Sequence, residues 1–161
     1  MGSEMCIRDR QIPAVGEAEA SMHYASLVGR SFSFVGGSPE SKGVLQDLAK
    51  KYGFHHKLAS VRKISASPLD FASEKSGVLE RLLLAGRQAV EEDGADSLIG
   101  YGGIEGIEHL RRELGVPVIS PVQASVLMAE TLVRSGLSHS KIAYPVPSDL
   151  SQIQGLKIKF E

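Results

Sequence analysis

Residues 94–121, GADSLIGYGGIEGIEHLRRELGVPVISP, hold two short apolar runs, each of which empties into a loop that opens a helical stretch. Apolar runs of this length, bounded by turn residues and separated by amphipathic segments, mark buried parallel strands joined by crossover helices. The pattern also says where a ligand can go. In an open parallel sheet, ligands collect outside the carboxyl ends of the strands, where helix N-termini leave amides unpaired and carry partial positive charge.

The alternation extends back along the chain. Residues 12–15 read as a short strand. Residues 17–28 have helical composition, with alanines, Met22, Tyr24 and Leu27 available for a buried stripe and Gly29 as C-cap. A strand over 32–35 leads into Gly36-Gly37-Ser38-Pro39, with Ser38 as N-cap and Pro39 at the first helical position. Gly53 closes that helix, and residues 58–64 form the next strand. A long helix starts near Ser73, buries Val78, Leu82, Ala85 and Ala89, and ends at Gly94. Strand 97–100, helix 104–114, strand 116–119 and helix 121–135 follow. The expected fold is α/β: a three-layer, Rossmann-like parallel sheet with helices on both faces. After Gly136 the prolines Pro145 and Pro147 exclude a continuous helix. Lys157 to Phe160 alternate weakly, and the end of the chain is expected to be disordered.

Composition excludes several function classes. The formal net charge of -1 leaves no electrostatic footprint for nucleic acid, and the Lys and Arg residues are dispersed. No apolar run reaches the roughly 18 residues that span a bilayer, and no signal-peptide core is present, so the expected location is the cytoplasm. Cys6 is the single cysteine, which excludes an intrachain disulfide and a cysteine-rich metal site. No metal-ligand spacing, P-loop lysine or dinucleotide fingerprint follows a strand, and neither a metal nor a cofactor is expected.

The candidate site residues stand at strand ends. In the loop Tyr101-Gly102-Gly103, two glycines let the backbone come close to a bound group, so carboxylate or phosphate oxygens can rest on the amides; equally, the glycines can simply turn the chain. Glu17 follows the first strand, where it lines a cleft or complements the dipole of its own helix. Ser38 and Ser120 each face the cleft or cap the helix they precede. His23, His55, His56, His109 and His139 have no partner identifiable in the sequence and are expected at the solvated surface.

Residues 95–142, ADSLIGYGGIEGIEHLRRELGVPVISPVQASVLMAETLVRSGLSHSKI, resemble the C-terminal half of the aspartate/glutamate/hydantoin racemase family. That family's pattern is a hydrophobic strand, Gly-Cys-x-Gly, a helix, a Val-Pro-Val-Ile strand and a helix containing Ala-Glu. The segments IPAVGEAEASMHYASLVGRSFSFV and LQDLAKKYGFHHKLASVRKI are similar to the hydantoin racemase branch, and the tripeptide ending at Arg62 is shared with it. The resemblance implies a two-lobe fold with the site between the lobes, and it divides the chain. Residues 30–136 are the second lobe, 11–29 a remnant of the first, and 137–161 a tail. Residues 1–10, MGSEMCIRDR, look like translated sequencing-adapter DNA and are expected to be a non-native leader that contributes nothing to folding. Helix 17–28 would then expose an apolar face built for absent strands.

The implied reaction is cofactor-independent proton abstraction and return at a carbon beside a carbonyl, by two thiols on opposite faces of the substrate. The implied substrate is a small carboxylate or a cyclic imide, and the implied assembly a homo-oligomer. One departure stands out: the family's second catalytic cysteine falls at Tyr101, between Gly100 and Gly102. Cys6 lies only seven positions before Pro13, too near for the family's first cysteine. The chain therefore lacks both thiols, and the expected enzyme is impaired. The alternative is a catalytically silent binding protein of the same fold, with Gly102 and Gly103 amides holding the ligand and Tyr101 stacked on it.

Overall fold

A computed structural model describes residues 7–8, 10–37, 41–66, 70–71 and 77–146. Ser38, Pro39, Ser73, Cys6 and the segment from Lys157 to Phe160 lie outside the described residues. The chain divides into a larger unit, Gly16–Val126, and a smaller one made of residues from both chain ends.

The larger unit is a parallel sheet with helices on both faces. In chain order it contains α1 (Glu17–Val28), β1 (Phe32–Gly36), α2 (Ser41–Lys51), β2 (Leu58–Arg62), α3 (Val78–Glu91), β3 (Leu98–Tyr101), α4 (Gly103–Glu113), β4 (Val118–Ile119) and the start of α5 (Pro121–Arg134). The strand order is β2-β1-β3-β4, every pair parallel. Because side chains alternate along a strand, β1, β3 and β4 each feed two cores. Val35, Leu98 and Val118 meet Val78, Leu82, Ala85 and Ala89 of α3 and Ile107 and Leu110 of α4. Phe34, Ile99 and Val61 turn to the other face and meet Met22 and Ala25 of α1 and Leu45 and Ala49 of α2. Central strands buried on both faces read as continuous apolar runs, which is why β1 and β3 are recognisable in the sequence.

The two central strands are held together where they begin. Asp96 accepts hydrogen bonds from the backbone amides of Arg30 (3.0 Å) and Ser31 (2.9 Å). Ser31 Oγ donates to the carbonyl of Gly94 and Ser97 Oγ to that of Ser31, both at 2.9 Å. Gly29 makes the approach possible, since a Cβ there would stand 2.5 Å from Asp96 Oδ1 and 2.7 Å from Ser97 Oγ. At the other end of β1, Gly36 pairs with Tyr101 at φ +95°, and a Cβ on it would run into the Tyr101 carbonyl oxygen.

Three expectations need correction. Residues 12–15 form no strand, and no ladder partner is present for them among the described residues. Leu27 does not join the buried stripe of α1 but is 82% exposed, and Val28 is exposed beside it. The inward face is instead Ala20, Ser21, Met22 and Ala25, with Ser21 tolerated because its hydroxyl donates back to the Glu17 carbonyl at 2.7 Å.

The third correction concerns the smaller unit. Ile7 is buried, and the Lys141 ammonium donates to the carbonyls of Ile7 (2.8 Å), Arg8 (3.1 Å) and Arg10 (2.6 Å). Carbonyls without a backbone partner need donors, and an ammonium supplies three; residues 7, 8 and 10 therefore do pack. His139 is not a free surface group either. Its Nε2 lies 2.9 Å from the Ala14 amide and 3.0 Å from the Ala14 carbonyl, accepting in one tautomer and donating in the other.

Asp96 gives a direct test. Its carboxyl is held below the usual carboxylate range, first by the Ser31 amide and also by that of Arg30, so its contribution is present above an unfolded Asp pKa of about 4 and disappears as pH falls through the lower folded value. Asp96→Ala should cost about 1–2 kcal/mol in urea melts at pH 7, the scale of hydrogen bonds to a charged acceptor at a partly exposed site. The deficit should shrink towards pH 2. An unchanged midpoint at pH 7 would mean that the clasp adds nothing.

Candidate functional site

Four parallel strands end on one edge of the sheet, and a cleft of about 540 Å³ opens there. Its lining includes Glu17 from the start of α1, Gly37 after β1, Gly100 and Tyr101 from β3, Gly102, Gly103 and Ile104 from the β3–α4 junction, and Ser120 before α5. Five of the six residues expected at the site therefore come together: Glu17, Tyr101, Gly102, Gly103 and Ser120. The sixth, Ser38, lies outside the described residues. The rest of the wall is apolar, with Ala66, Phe71, Ile107, Pro121 and Val122. None of these is distinctive in sequence, because an apolar wall residue and an apolar core residue look alike.

Tyr101 is half-buried. Its ring lies 6.2 Å from that of Phe34, tilted by 36°, and belongs to the edge of the core on the α1 side. Burial pushes its phenol up to about 12, helped by the charge of Glu17. At neutral pH the group is a protonated donor.

The loop glycines have packing reasons of their own. A Cβ on Gly102 would stand 2.6 Å from Leu82 Cδ2, so α4 can begin against α3 only if this residue is small. Gly103 has φ +65°, a backbone conformation that disfavours a side chain. Gly102 is the N-cap of α4 and makes no side-chain cap, which leaves the amides of the first turn without intrahelical partners beside the cleft. Packing and anion binding are compatible here, and the same two glycines serve both. Ser120 also has two roles: its carbonyl accepts from Ala124, its hydroxyl lies 3.4 Å from the Gln123 amide as a cap for α5, and it still borders the cleft.

Arg62 is not part of the site. It forms a bidentate pair with Asp93 (2.6 and 2.7 Å) and reaches Glu92 at 2.9 Å, tying the end of β2 to the turn after α3. Asp93 is held low by that guanidinium. Lys63, the next residue, was not singled out from the sequence. Its Nζ is buried, has no hydrogen-bond partner among the described residues, and stands 5.5 Å from the centroid of the Tyr101 ring. The available signal was its position: it follows the last residue of a parallel strand, as Tyr101 ends another.

Among the described residues no cluster of His, Cys, Asp and Glu could hold a metal ion. No helix among them is long and apolar enough to cross a membrane.

Known proteins are similar to this chain over most of its length. A hydantoin racemase from Paenarthrobacter aurescens is 39% identical over 140 residues, covering 85% of this chain and 59% of the relative. A hydantoin racemase from Pseudomonas sp. (strain NS671) is 38% identical over 148 residues, covering 90% of this chain and 59% of the relative. Among solved structures, an allantoin racemase from Klebsiella pneumoniae superposes with a TM-score of 0.83 at 34% identity, over 91% of this chain and 61% of that one. The chain thus spans about three fifths of the length of these relatives. A profile of Asp/Glu/hydantoin racemases matches residues 2–129, and the chain belongs to that family.

Proposed function

We propose that this chain carries the strand-end half of a cofactor-independent racemase site, acting on small carboxylates or cyclic imides by proton transfer at a carbon beside a carbonyl. The observation that carries this reading is the position of Tyr101. It ends β3, borders the cleft and immediately precedes the uncapped first turn of α4, where the resemblance puts a catalytic cysteine. A thiol at such a place loses its proton readily, because the helix dipole and free amides favour the thiolate. A phenol pushed up to about 12 does not. In this chain Tyr101 can donate a proton or hydrogen bond to developing negative charge, while proton abstraction from that side lacks its base.

The raised phenol favours one further reading of the same site, a binding protein that holds its ligand without turnover. The two readings share the cleft and differ in whether the chain exchanges the ligand's acidic proton. A cytoplasmic location and self-association belong to the first reading; exposed Leu27 and Val28 supply an apolar patch for the latter.

Two measurements test this. In D2O, 5-methylhydantoin should bind saturably by NMR, while loss of its ring C–H signal should run close to the buffer rate, since a missing general base costs about 10²–10⁴-fold. Absence of saturable binding of both 5-methylhydantoin and its carboxylate counterpart N-carbamoylalanine would sink the site; catalysed exchange would sink the impairment. Tyr101→Cys, made together with Cys6→Ser so that one thiol reports, should alkylate faster at neutral pH than an ordinary cysteine of pKa about 8.5. A thiol that titrates normally there would remove the catalytic assignment from position 101.

Self-association is checked separately. Light scattering should rise with concentration for the unaltered chain and fall for Leu27→Asp, whose charge disrupts the patch. Equal scattering from both would exclude that surface.

A further inference from the structure

One charged group beside the cleft is used neither by the fold nor by the proposed proton transfer. Lys63 Nζ is buried and without a hydrogen-bond partner among the described residues. A Cβ placed on Gly37, which lines the cleft, would lie 3.4 Å from this Nζ and 3.7 Å from Tyr101 Cβ. With the Tyr101 ring 5.5 Å away, the ammonium stands about one layer of atoms behind the cleft wall.

Such a placement is costly, because a buried charge needs a partner. Arg62, its neighbour in sequence, has two carboxylates. Lys63 has none among the described residues, and burial alone pushes it down to about 8. The face of the Tyr101 ring offers a cation–π attraction, weaker than what a carboxylate partner would supply. Low-polarity walls meanwhile let the field of an uncompensated charge reach a ligand several ångströms away. An anion in the cleft is what this charge lacks.

We propose that Lys63 is the charge-selecting residue of the cleft, acting through the wall formed by Gly37 and Tyr101 so that the site prefers a carboxylate ligand over a neutral cyclic imide. The inference rests on the reading of this cleft as the ligand site. Other titratable groups fit it. Glu17 lines the cleft from α1 and repels an anion, which orients the carboxylate towards Lys63. Tyr101, on β3, keeps its proton across the neutral range. Gly36 and Gly37, at the end of β1, carry no charge.

A matched pair of ligands tests it: N-carbamoylalanine, a carboxylate, and 5-methylhydantoin, its neutral ring-closed form. At pH 7, Lys63→Met should weaken binding of the first at least tenfold and of the second less than twofold, with Lys63→Arg retaining most of the carboxylate affinity. The Met variant should melt no lower than the unaltered chain, since it removes a buried unpaired charge. Carboxylate affinity of the unaltered chain should also decline as pH rises through about 8, where Lys63 loses its proton, and the Met variant should show no such decline. Equal losses for both ligands would make Lys63 structural and overturn the inference, as would an unaltered carboxylate affinity in Lys63→Met. If the unaltered chain binds the imide but no carboxylate, the inference fails and the site stands. If it binds neither, both fall.

Discussion

The pairing of β1 with β3 is the constraint on which the rest of the larger unit depends. Parallel strands cannot be brought together by a tight turn, so their register is set by which side chains each face buries and by contacts at their ends. Here the Asp96 carboxylate spans the amides of Arg30 and Ser31, and the serines at 31 and 97 cross-link the same two turns. With that end fixed, Gly36 falls opposite Tyr101 at the other. A slip of one residue would exchange the two faces of β3, placing Ile99 among the α3 and α4 side chains and Leu98 against α1. The clasp at one edge of the sheet therefore determines which side chains border the cleft at the opposite edge.

The cleft owes its form to residues that first serve packing. Leu82 of α3 approaches so closely that a Cβ at position 102 or 106 would lie within 3 Å of its Cδ2 and would force the leucine to shift. That crowding draws the first turn of α4 down to the end of β3. Free amides beside the cleft follow from the absence of a side-chain cap at Gly102. Glycine in this loop is thus weak evidence for a ligand when taken alone. The position of the loop at the carboxyl edge of four parallel strands is the stronger argument.

Much of this architecture is legible in the sequence, for physical reasons that also explain what is not. The α1 boundaries, the inward face of α3 and the strands expected at 32–35 and 97–100, which lie at 32–36 and 98–101, follow from periodicity and from glycines at element ends. Residues 12–15 look like a strand because β propensity is local, whereas a ladder needs a partner that no local pattern reveals. Leu27 looks buried because helical spacing cannot distinguish the covered flank of a stripe from the uncovered one. The Asp96 clasp, the His139 contact with Ala14 and the Lys141 contacts with residues 7, 8 and 10 join positions 65 to 134 residues apart. Lys63 could have been noticed by the rule that located Tyr101, but only the fold reveals that its ammonium is buried and has no hydrogen-bond partner among the described residues.

The phenol at position 101 shapes how charge is arranged around the cleft. Burial raises the pKa of any neutral acid, and an adjacent cation lowers it. For Tyr101 burial prevails, although an ammonium lies 5.5 Å away. Lys63 is itself pushed down to about 8 and is a weak counter-charge in mildly alkaline solution. Two groups that could have formed a phenolate–ammonium pair are thus each driven towards neutrality by the same apolar surroundings. Under the proposed assignment, an anionic ligand reverses this for the lysine alone. A carboxylate near Lys63 favours the charged amine, so above pH 8 ligand binding draws a proton onto Lys63. The same carboxylate disfavours ionisation of Tyr101, which keeps the phenol in the form that can donate.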